Sequence, residues 1–509
     1  MKSTLLALVL LCVGAVRAFG GFVIHNEDCT QYFIETSYSA DEAGARKYLA
    51  RYLDAGRDSI KIMMLNPQGQ MASYDSKVLR PAWSVFERNE DGLLAYKGKA
   101  LPERSSKMYD RMREMQTGGL DKDVFTIWLR QCREAGVSPW ISVRMNDVHG
   151  ADDDDGYMMC DLWKQHHEFW LNTYYGKIWN ARQLDYAHPE VRQLYMDVIA
   201  ELLERYDCDG VELDFMRFCQ VFRYGHEIDD APLLTEFVRE VRRRCDEKAK
   251  AAGHKVGVAV RVPADPRDAY GRGFDVEAWL DEGLVDIVTP TVFFCSNWDD
   301  VPVHIWRKII GNRALLTPCV EAGNQPSPTY WPQAFGAPFD YALANLYYAR
   351  GADGIYTFNH FGNNMEHYRR LADPALNAAQ IRRTLLSYCD TTRAGYNYTP
   401  LPITVDGGYQ QLRLNIGTKP EANRNVQLIV ATEHSFPDGK APEVRLNGVL
   451  LPKGGHPGGY GYPERIKQWQ CYAVPAGTLT TEGNVIDICY PHGGSVTVDW
   501  VELYIGPAK

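Results

Sequence analysis

His188-Pro189-Glu190-Val191-Arg192 opens a helical segment that runs to Tyr206, and after Asp207-Cys208-Asp209 the chain enters Gly210-Val211-Glu212-Leu213-Asp214-Phe215. An amphipathic helix that delivers the chain into a short apolar run is one unit of a parallel sheet, because parallel neighbours need a crossover connection. Outward from this block the unit recurs between residues 20 and 390. The apolar runs are Phe22–Glu27, Ser59–Asn66, Trp140–Asp147, Gly210–Phe215, Val256–Pro263, Val285–Phe294, Ala314–Glu321 and Gly354–His360. Helical candidates include Asp41–Ala55, Val124–Ala135, Pro189–Tyr206, Leu233–Ala252 and Asn377–Tyr388. Eight such units predict an α/β fold, a (β/α)8 TIM barrel. An open doubly wound sheet is the structural rival, but no glycine-rich phosphate fingerprint follows the first run.

From about Ala394 the helical period disappears. Gln411–Ile416, Asn425–Thr432, Glu443–Val449, Gln468–Val474, Asn484–Tyr490 and Ser495–Tyr504 read as short strands between Gly, Pro and Asn turns, which predicts a C-terminal β-sandwich. The composition shift at 391–396 marks the boundary. Met1-Lys2, the apolar run Leu5–Val13 and the small residues at Val16-Arg17-Ala18 read as an export signal. The expected organisation is therefore a signal peptide at 1–18, a catalytic barrel at 19–393 and a sandwich at 394–509, in a protein exported to the periplasm or the extracellular space.

The chain has 509 residues, 45% hydrophobic and 24% charged, the mix of a globular protein with a large core. A net charge of −10 argues against nucleic acid or an anionic membrane as partner, and no run approaches a membrane span. The 30 Tyr and 12 Trp supply flat apolar faces that suit sugar rings. No tight CxxC pair occurs among the cysteines, so zinc is not expected, and Cys208, Cys295 and Cys319 fall in apolar runs where buried thiols belong. The acidic run Asp152–Asp155 lacks the spacing of a calcium loop and reads as solvated, and no metal or other cofactor is expected.

In such a barrel the chemistry lies at the C-terminal strand ends. The third run ends Arg144-Met145-Asn146-Asp147-Val148-His149, the fourth holds Glu212 and Asp214 before Arg217, the fifth carries Arg261, the sixth ends near Asn297-Trp298, the seventh at Glu321 and the eighth at Asn359-His360. Strand alternation puts Glu212 and Asp214 on one side, Asp214 nearer the mouth. Opposed carboxylates on two strands are what glycoside hydrolysis needs, so Asp214, Glu321 and Glu212 are the catalytic candidates. Asp214 is assigned as nucleophile or base and Glu321 as general acid, with the reverse order open. Arg144, Asn146, Arg217, Arg261, Trp298, Asn359 and His360 are the substrate-binding candidates, and three arginines in one mouth suit an anionic or sulfated sugar. The competing structural reading is that these arginines only neutralise Glu212 and Asp214 in a salt-bridge network. The segment from Pro67 to Asp123 is long enough to form a wall or lid over the mouth.

The block from Leu184-Asp185-Tyr186 through Asp209-Gly210-Val211-Glu212-Leu213-Asp214-Phe215-Met216-Arg217-Phe218 resembles the glycoside hydrolases related to family ten, which are exported barrel proteins of polysaccharide-degrading bacteria. The resemblance implies a barrel over residues 20 to 390, hydrolysis of glycosidic bonds in a polysaccharide or oligosaccharide, and the fourth-strand acids in the site. Unlike the Asn-Glu pair of the best-known barrel glycosidases, neither acid of this strand follows an Asn. The C-terminal part is similar to galactose-binding-like modules through Val474-Pro475-Ala476-Gly477, Gly483-Asn484-Val485-Ile486 and Val498-Asp499-Trp500-Val501-Glu502-Leu503. The rival function is a noncatalytic carbohydrate-binding or scaffold protein built on the same barrel.

Overall fold

The computed structural model describes residues 20–28, 30–172, 181–293, 297–330, 336–362, 365–389, 399–458 and 462–508. The expected export signal, Cys295 and the composition shift at 391–396 lie outside the described residues.

The expected barrel is present. Its parallel strands are β1 (Val23–Glu27), β2 (Ile60–Leu65), β3 (Ser138–Arg144), β4 (Gly210–Asp214), β5 (Gly257–Pro263), β6 (Ile287–Thr291), β7 (Leu315–Leu316 and Cys319–Glu321) and β8 (Ile355–Phe358). The two pieces of β7 stand at opposite ends of the hydrogen-bonded row, the first paired with β6 and the second with β8. Only Thr317-Pro318 separates them, so the row closes on itself. The residues explain the switch: Thr317 N donates to the Val288 carbonyl at 3.1 Å, whereas Pro318 has no N–H and its carbonyl instead accepts from Tyr356 N at 3.1 Å.

Alternation sorts the side chains. Val211, Leu213, Val258 and Val260 pack outward with helix residues such as Val198 and Leu202, while Ile24, Ile62, Trp140, Ala259 and Tyr356 form a separate inner cluster. Trp140 fits there because its neighbours in the β4 and β5 register lack side chains: a Cβ on Gly210 or Gly257 would come within 2.3 or 2.5 Å of its ring. Asp41 and Asp123 cap the helices Glu42–Ala55 and Val124–Glu134 by accepting from backbone N–H groups, as the periodicity suggested. The helix Pro189–Arg205 also stands, and the helix expected from Leu233 begins earlier, at Glu227, with Glu227, Asp229 and Asp230 at its positive end.

One helix expectation is corrected. In place of Asn377–Tyr388 the chain forms a short helix, Pro374–Ala379, and then β9 (Arg382–Leu385), which joins the C-terminal sheets. Those sheets comprise β10 (Ile403–Val405), β11 (Gln410–Leu414), β12 (Arg424–Thr432), β13 (Glu443–Leu446), β14 (Val449–Leu450), β15 (Gln468–Ala473), β16 (Asn484–Cys489), β17 (Val496–Val498) and β18 (Trp500–Ala508). One antiparallel sheet runs β9-β18-β12-β15 and another β11-β16-β13-β14, with β10 and β17 paired beside them. Leu428, Val430, Val444, Leu446, Ile486, Ile488, Val501 and Leu503 form one core drawn from both sheets, which is the expected sandwich. Asn447-Gly448 turns the β13–β14 hairpin with positive φ at both residues, +50° and +81°.

The segment after β2 carries three short strands (Glu87–Arg88, Leu94–Tyr96 and Lys99–Ala100) and the helix Glu103–Gln116. Gln68 Nε2 donates to the Arg144 carbonyl at 3.1 Å and Gln70 Nε2 to the Asp147 carbonyl at 2.8 Å, which bolts this segment to the end of β3. No helix among the described residues is long and apolar enough to cross a membrane.

Candidate active site

Cross-strand register brings the charged residues together. Ser142 stands opposite Glu212, Arg144 opposite Asp214, and Asp214 opposite Arg261. Glu212 sits one layer below Asp214 and is fully buried. Its Oε1 accepts from Ser142 Oγ at 2.7 Å and from the Tyr356 hydroxyl at 2.9 Å, and the same tyrosine oxygen accepts from Asn26 Nδ2 at 2.8 Å. Burial, reinforced by the neighbouring Asp214, pushes the Glu212 carboxyl up to about 7. The pair thereby avoids two adjacent buried negative charges.

Asp214 is 1% exposed; its Oδ2 receives Arg261 Nη1 at 2.7 Å and its Oδ1 the Met216 N–H at 3.0 Å. Arg261 itself lies 4.1 Å over the Phe358 ring, and Arg217 lies 4.7 Å from the same ring, so two guanidinium groups share one aromatic residue. Burial, with Arg144 adding to it, lowers the affinity of Arg217 for its proton, against the opposing pull of Glu321, Asp214 and Asp147. Arg217 is therefore the cation that both strand-end carboxylates, Asp214 on β4 and Glu321 on β7, feel.

Glu321 is held from two sides. Asn359 Nδ2 donates to Glu321 Oε1 at 2.7 Å, and Asn359 is placed to do so by a left-handed backbone, φ +59°, which Asn tolerates better than most residues. The Asn297 side chain brackets the Glu321 backbone, donating to its carbonyl at 2.7 Å and accepting from its N–H at 3.0 Å.

The open part of the mouth is a cavity of about 220 Å3 lined by Asp28, Gln70, Tyr109, Arg144, Asp147, His149 and Arg217 among others. The lid segment supplies Gln70 and Tyr109, so it forms one wall of the cavity. Arg144 bridges Asp28 at 2.5 Å and Asp147 at 3.3 Å, and Asp147 Oδ1 takes His149 Nδ1 at 2.7 Å. Burial alone would raise the Asp28 carboxyl, but Arg144 and the hydrogen bonds from Thr30 outweigh it and hold it well below the usual carboxylate range. For Asp147 burial is likewise outweighed, here by His149 and Arg144. His149 is the half-exposed member, with 42% of its side chain accessible.

The sequence candidates thus divide. Arg144 and Arg217 line the cavity, whereas the catalytic candidates Asp214, Glu212 and Glu321 are not among its lining residues: Asp214 is paired with Arg261, and Glu321 is held by Asn359. Asn146 is corrected from a substrate contact to a brace: its carboxamide is engaged by the backbone of Leu184 and Gln220 at 2.9 to 3.0 Å. His360 is also relocated, because it is buried and faces Asp340 and His367. Trp298 packs against the barrel's outer core. Arg261 is committed to Asp214 and does not line the cavity. Asp28 was missed although it directly follows β1, and Asp147 and His149, read as rim residues, prove to be cavity residues. Taking the first polar residue after every strand would have found Asp28. In the acidic run, Asp154 pairs with Arg182 and Asp155 with Lys97 of the lid, each at 2.5 Å. Cys208 and Cys319 are buried thiols, as expected.

Residues 85–240 match the family described as Glycosyl hydrolase-like 10, which spans the lid strands, β3, β4 and half of the helix that follows, and bears out the resemblance read in the β4 block. No curated protein matches the sequence. Among solved structures, alpha-L-fucosidase isoenzyme 2 from Paenibacillus thiaminolyticus is 12% identical over 70% of this chain and 49% of its own, with a TM-score of 0.40. The chain thus spans about half the length of that fucosidase. The catalytic domain of psychrophilic chitinase B from Arthrobacter TAD20 is 11% identical over 72% of this chain and 96% of its own, TM-score 0.40. The PgaB (BpsB) glycoside hydrolase domain from Bordetella bronchiseptica is 10% identical over 69% and 99%, TM-score 0.37.

Proposed function

We propose that this chain, with its Glycosyl hydrolase-like 10 segment at residues 85–240, is a glycoside hydrolase that acts on an anionic or sulfated polysaccharide or oligosaccharide. What supports the reading is the pair of strand-end carboxylates, Asp214 on β4 and Glu321 on β7, whose charges both act on Arg217, a residue of the open cavity. In the proposed mechanism Asp214, held by Arg261, is the nucleophile or the base for water. Glu321, oriented by Asn359, gives a proton to the departing glycosidic oxygen. Glu212, its carboxyl raised to about 7, holds its proton over a wider pH range than an ordinary glutamate and so lowers the negative charge beside Asp214. Arg217 on the cavity wall suits a sugar carboxylate or sulfate, which a planar guanidinium binds through paired hydrogen bonds, whereas Arg144 beside it is engaged by Asp28 and Asp147.

The deciding experiment assays Asp214→Asn and Glu321→Gln on a natural oligosaccharide and on an aryl glycoside whose leaving group needs no protonation. Asp214→Asn should abolish turnover of both, and Glu321→Gln should lose far less on the aryl glycoside. Near-normal kcat in Asp214→Asn, or equal loss on both substrates in Glu321→Gln, would assign the chemistry elsewhere. A noncatalytic saccharide-binding role is the second reading, favoured by the buried Asp214–Arg261 pair; it gains if the wild-type chain binds sulfated saccharides and turns none over. The reading includes export, supported by the basic start and apolar run of residues 1–18, and cell fractionation tests it.

A further inference from the structure

A second cluster of chemically competent side chains lies apart from the carboxylate layers. Asp340 in the helix Ala337–Ala349, His360 just after β8 and His367 in the helix Met365–Ala372 are 5%, 4% and 4% exposed. His367 Nε2 lies 3.5 Å from Asp340 Oδ2 and His360 Nδ1 lies 3.8 Å from the same oxygen. One donor atom from each residue falls within 4.8 Å of the others. The two imidazole rings run nearly parallel, with centroids 5.8 Å apart.

The carboxylate is the informative member. Among the described residues no N–H or O–H donates to Asp340 within hydrogen-bond distance, and the two imidazoles are the groups that face it. An ionised carboxylate buried to this degree costs several kcal/mol unless a charge or several donors compensate it. Arg370, whose charge acts on His367, is itself engaged with Glu366. A divalent cation would compensate the carboxylate and take one nitrogen of each ring as a further ligand.

The geometry points to a site for one divalent first-row transition-metal ion, held by Asp340, His360 and His367. Two imidazoles and one carboxylate suit zinc or a similar ion, whereas calcium and magnesium prefer oxygen alone. Tetrahedral zinc with bonds of about 2.0–2.1 Å sets its donors roughly 3.4 Å apart; His367 Nε2 and Asp340 Oδ2 already stand at 3.5 Å, and the three-residue donor set, within 4.8 Å, would contract to close on one ion, with His360 ligating through the ring nitrogen that does not bond the Val320 backbone. The ring of His360 hydrogen-bonds the Val320 backbone, the kind of outer contact that fixes a metal-ligating histidine. His367 also lines a cleft of about 390 Å3, together with Tyr341, Glu366 and Arg370. The ion would fasten two helices to the end of β8, immediately beside Asn359, which holds Glu321.

This inference does not depend on the glycosidase reading, because metal binding is measured without substrate. The full-length chain, stripped with chelator and dialysed, is titrated with Zn2+ and read by calorimetry and elemental analysis. One ion per chain is expected, with a rise in the thermal midpoint, and at least a 100-fold loss of affinity in Asp340→Asn and in His367→Gln. No bound zinc in the wild-type chain, or equal stoichiometry and affinity in both variants, overturns the site. Should the variants not fold, Co2+ loaded into the wild-type chain decides: intense four-coordinate visible bands support the site, and the weak spectrum of hexaaquo cobalt overturns it.

Discussion

Arg261 Nη1 lies 2.7 Å from Asp214 Oδ2, and the β4–β5 register sets the two residues directly opposite one another. With side chains 2% and 1% exposed, neither charge is offset by water. Removing one partner of such a pair costs about 3–5 kcal/mol, because the other is left as a bare buried charge. Arg261→Met should therefore lose that much stability in urea unfolding, and the double variant Asp214→Asn/Arg261→Met should lose less than the single one. A single variant within about 1 kcal/mol of wild type would show that the pair is not what holds this layer.

Glu212 supplies a pH signature. Its carboxyl is raised from 4.5 to about 7 in the folded chain, so the folded state holds a proton that the unfolded state releases. The contribution is complete below about pH 4.5 and is lost as the pH rises through about 7, amounting to roughly 3 kcal/mol at 1.36 kcal/mol per pKa unit. Glu212→Gln, which stays neutral, should flatten the decline in stability between pH 5 and 8. Parallel stability curves for wild type and variant would place the titrating proton on another group.

Substrate charge is tested at Arg217, which lines the cavity. A charge-assisted hydrogen bond is worth about 1.5–3 kcal/mol, so Arg217→Met should reduce kcat/KM on a sulfated saccharide at least ~10-fold more than on its desulfated counterpart. Equal losses on the two substrates would count against anionic recognition.

The barrel floor gives a packing test. A methyl group on Gly210 would meet the Trp140 ring at 2.3 Å, the two residues standing directly opposite in the β3–β4 register. Gly210→Ala should cost about 1–3 kcal/mol as overpacking, and pairing it with Trp140→Phe should recover part of the loss in the same unfolding measurement.

The parts of this fold that rest on local pattern were legible. Eight apolar runs with intervening helices gave the barrel, and alternation within β4 put Glu212 beneath Asp214 on one face. What depends on distant partners was not. The segment from Asn377 has a helical pattern, yet Arg382–Leu385 is a strand because β18 offers it a ladder and Arg383 finds Glu502 across the pair. Sequence order likewise says that Arg144, Arg217 and Arg261 lie near the mouth, but not which carboxylate each will take. That assignment follows from register, which sets Arg261 against Asp214 and leaves Arg144 to Asp28 and Asp147. His360 misled for the same reason: its position at a strand end suggested the mouth, and the helix bearing Asp340 drew it away.

Pro318 removes a donor just where β7 changes partners, and Glu321 pairs with β8 while having, among the described residues, no ladder partner on its β6 side. The Asn297 carboxamide stands in that gap, giving and taking one hydrogen bond each with the Glu321 main chain, as a peptide group would. One side chain thus serves as the missing rung of the ladder. The main chain that carries this strand-end carboxylate is therefore anchored by a residue on another loop, while Asn359 holds the carboxylate itself.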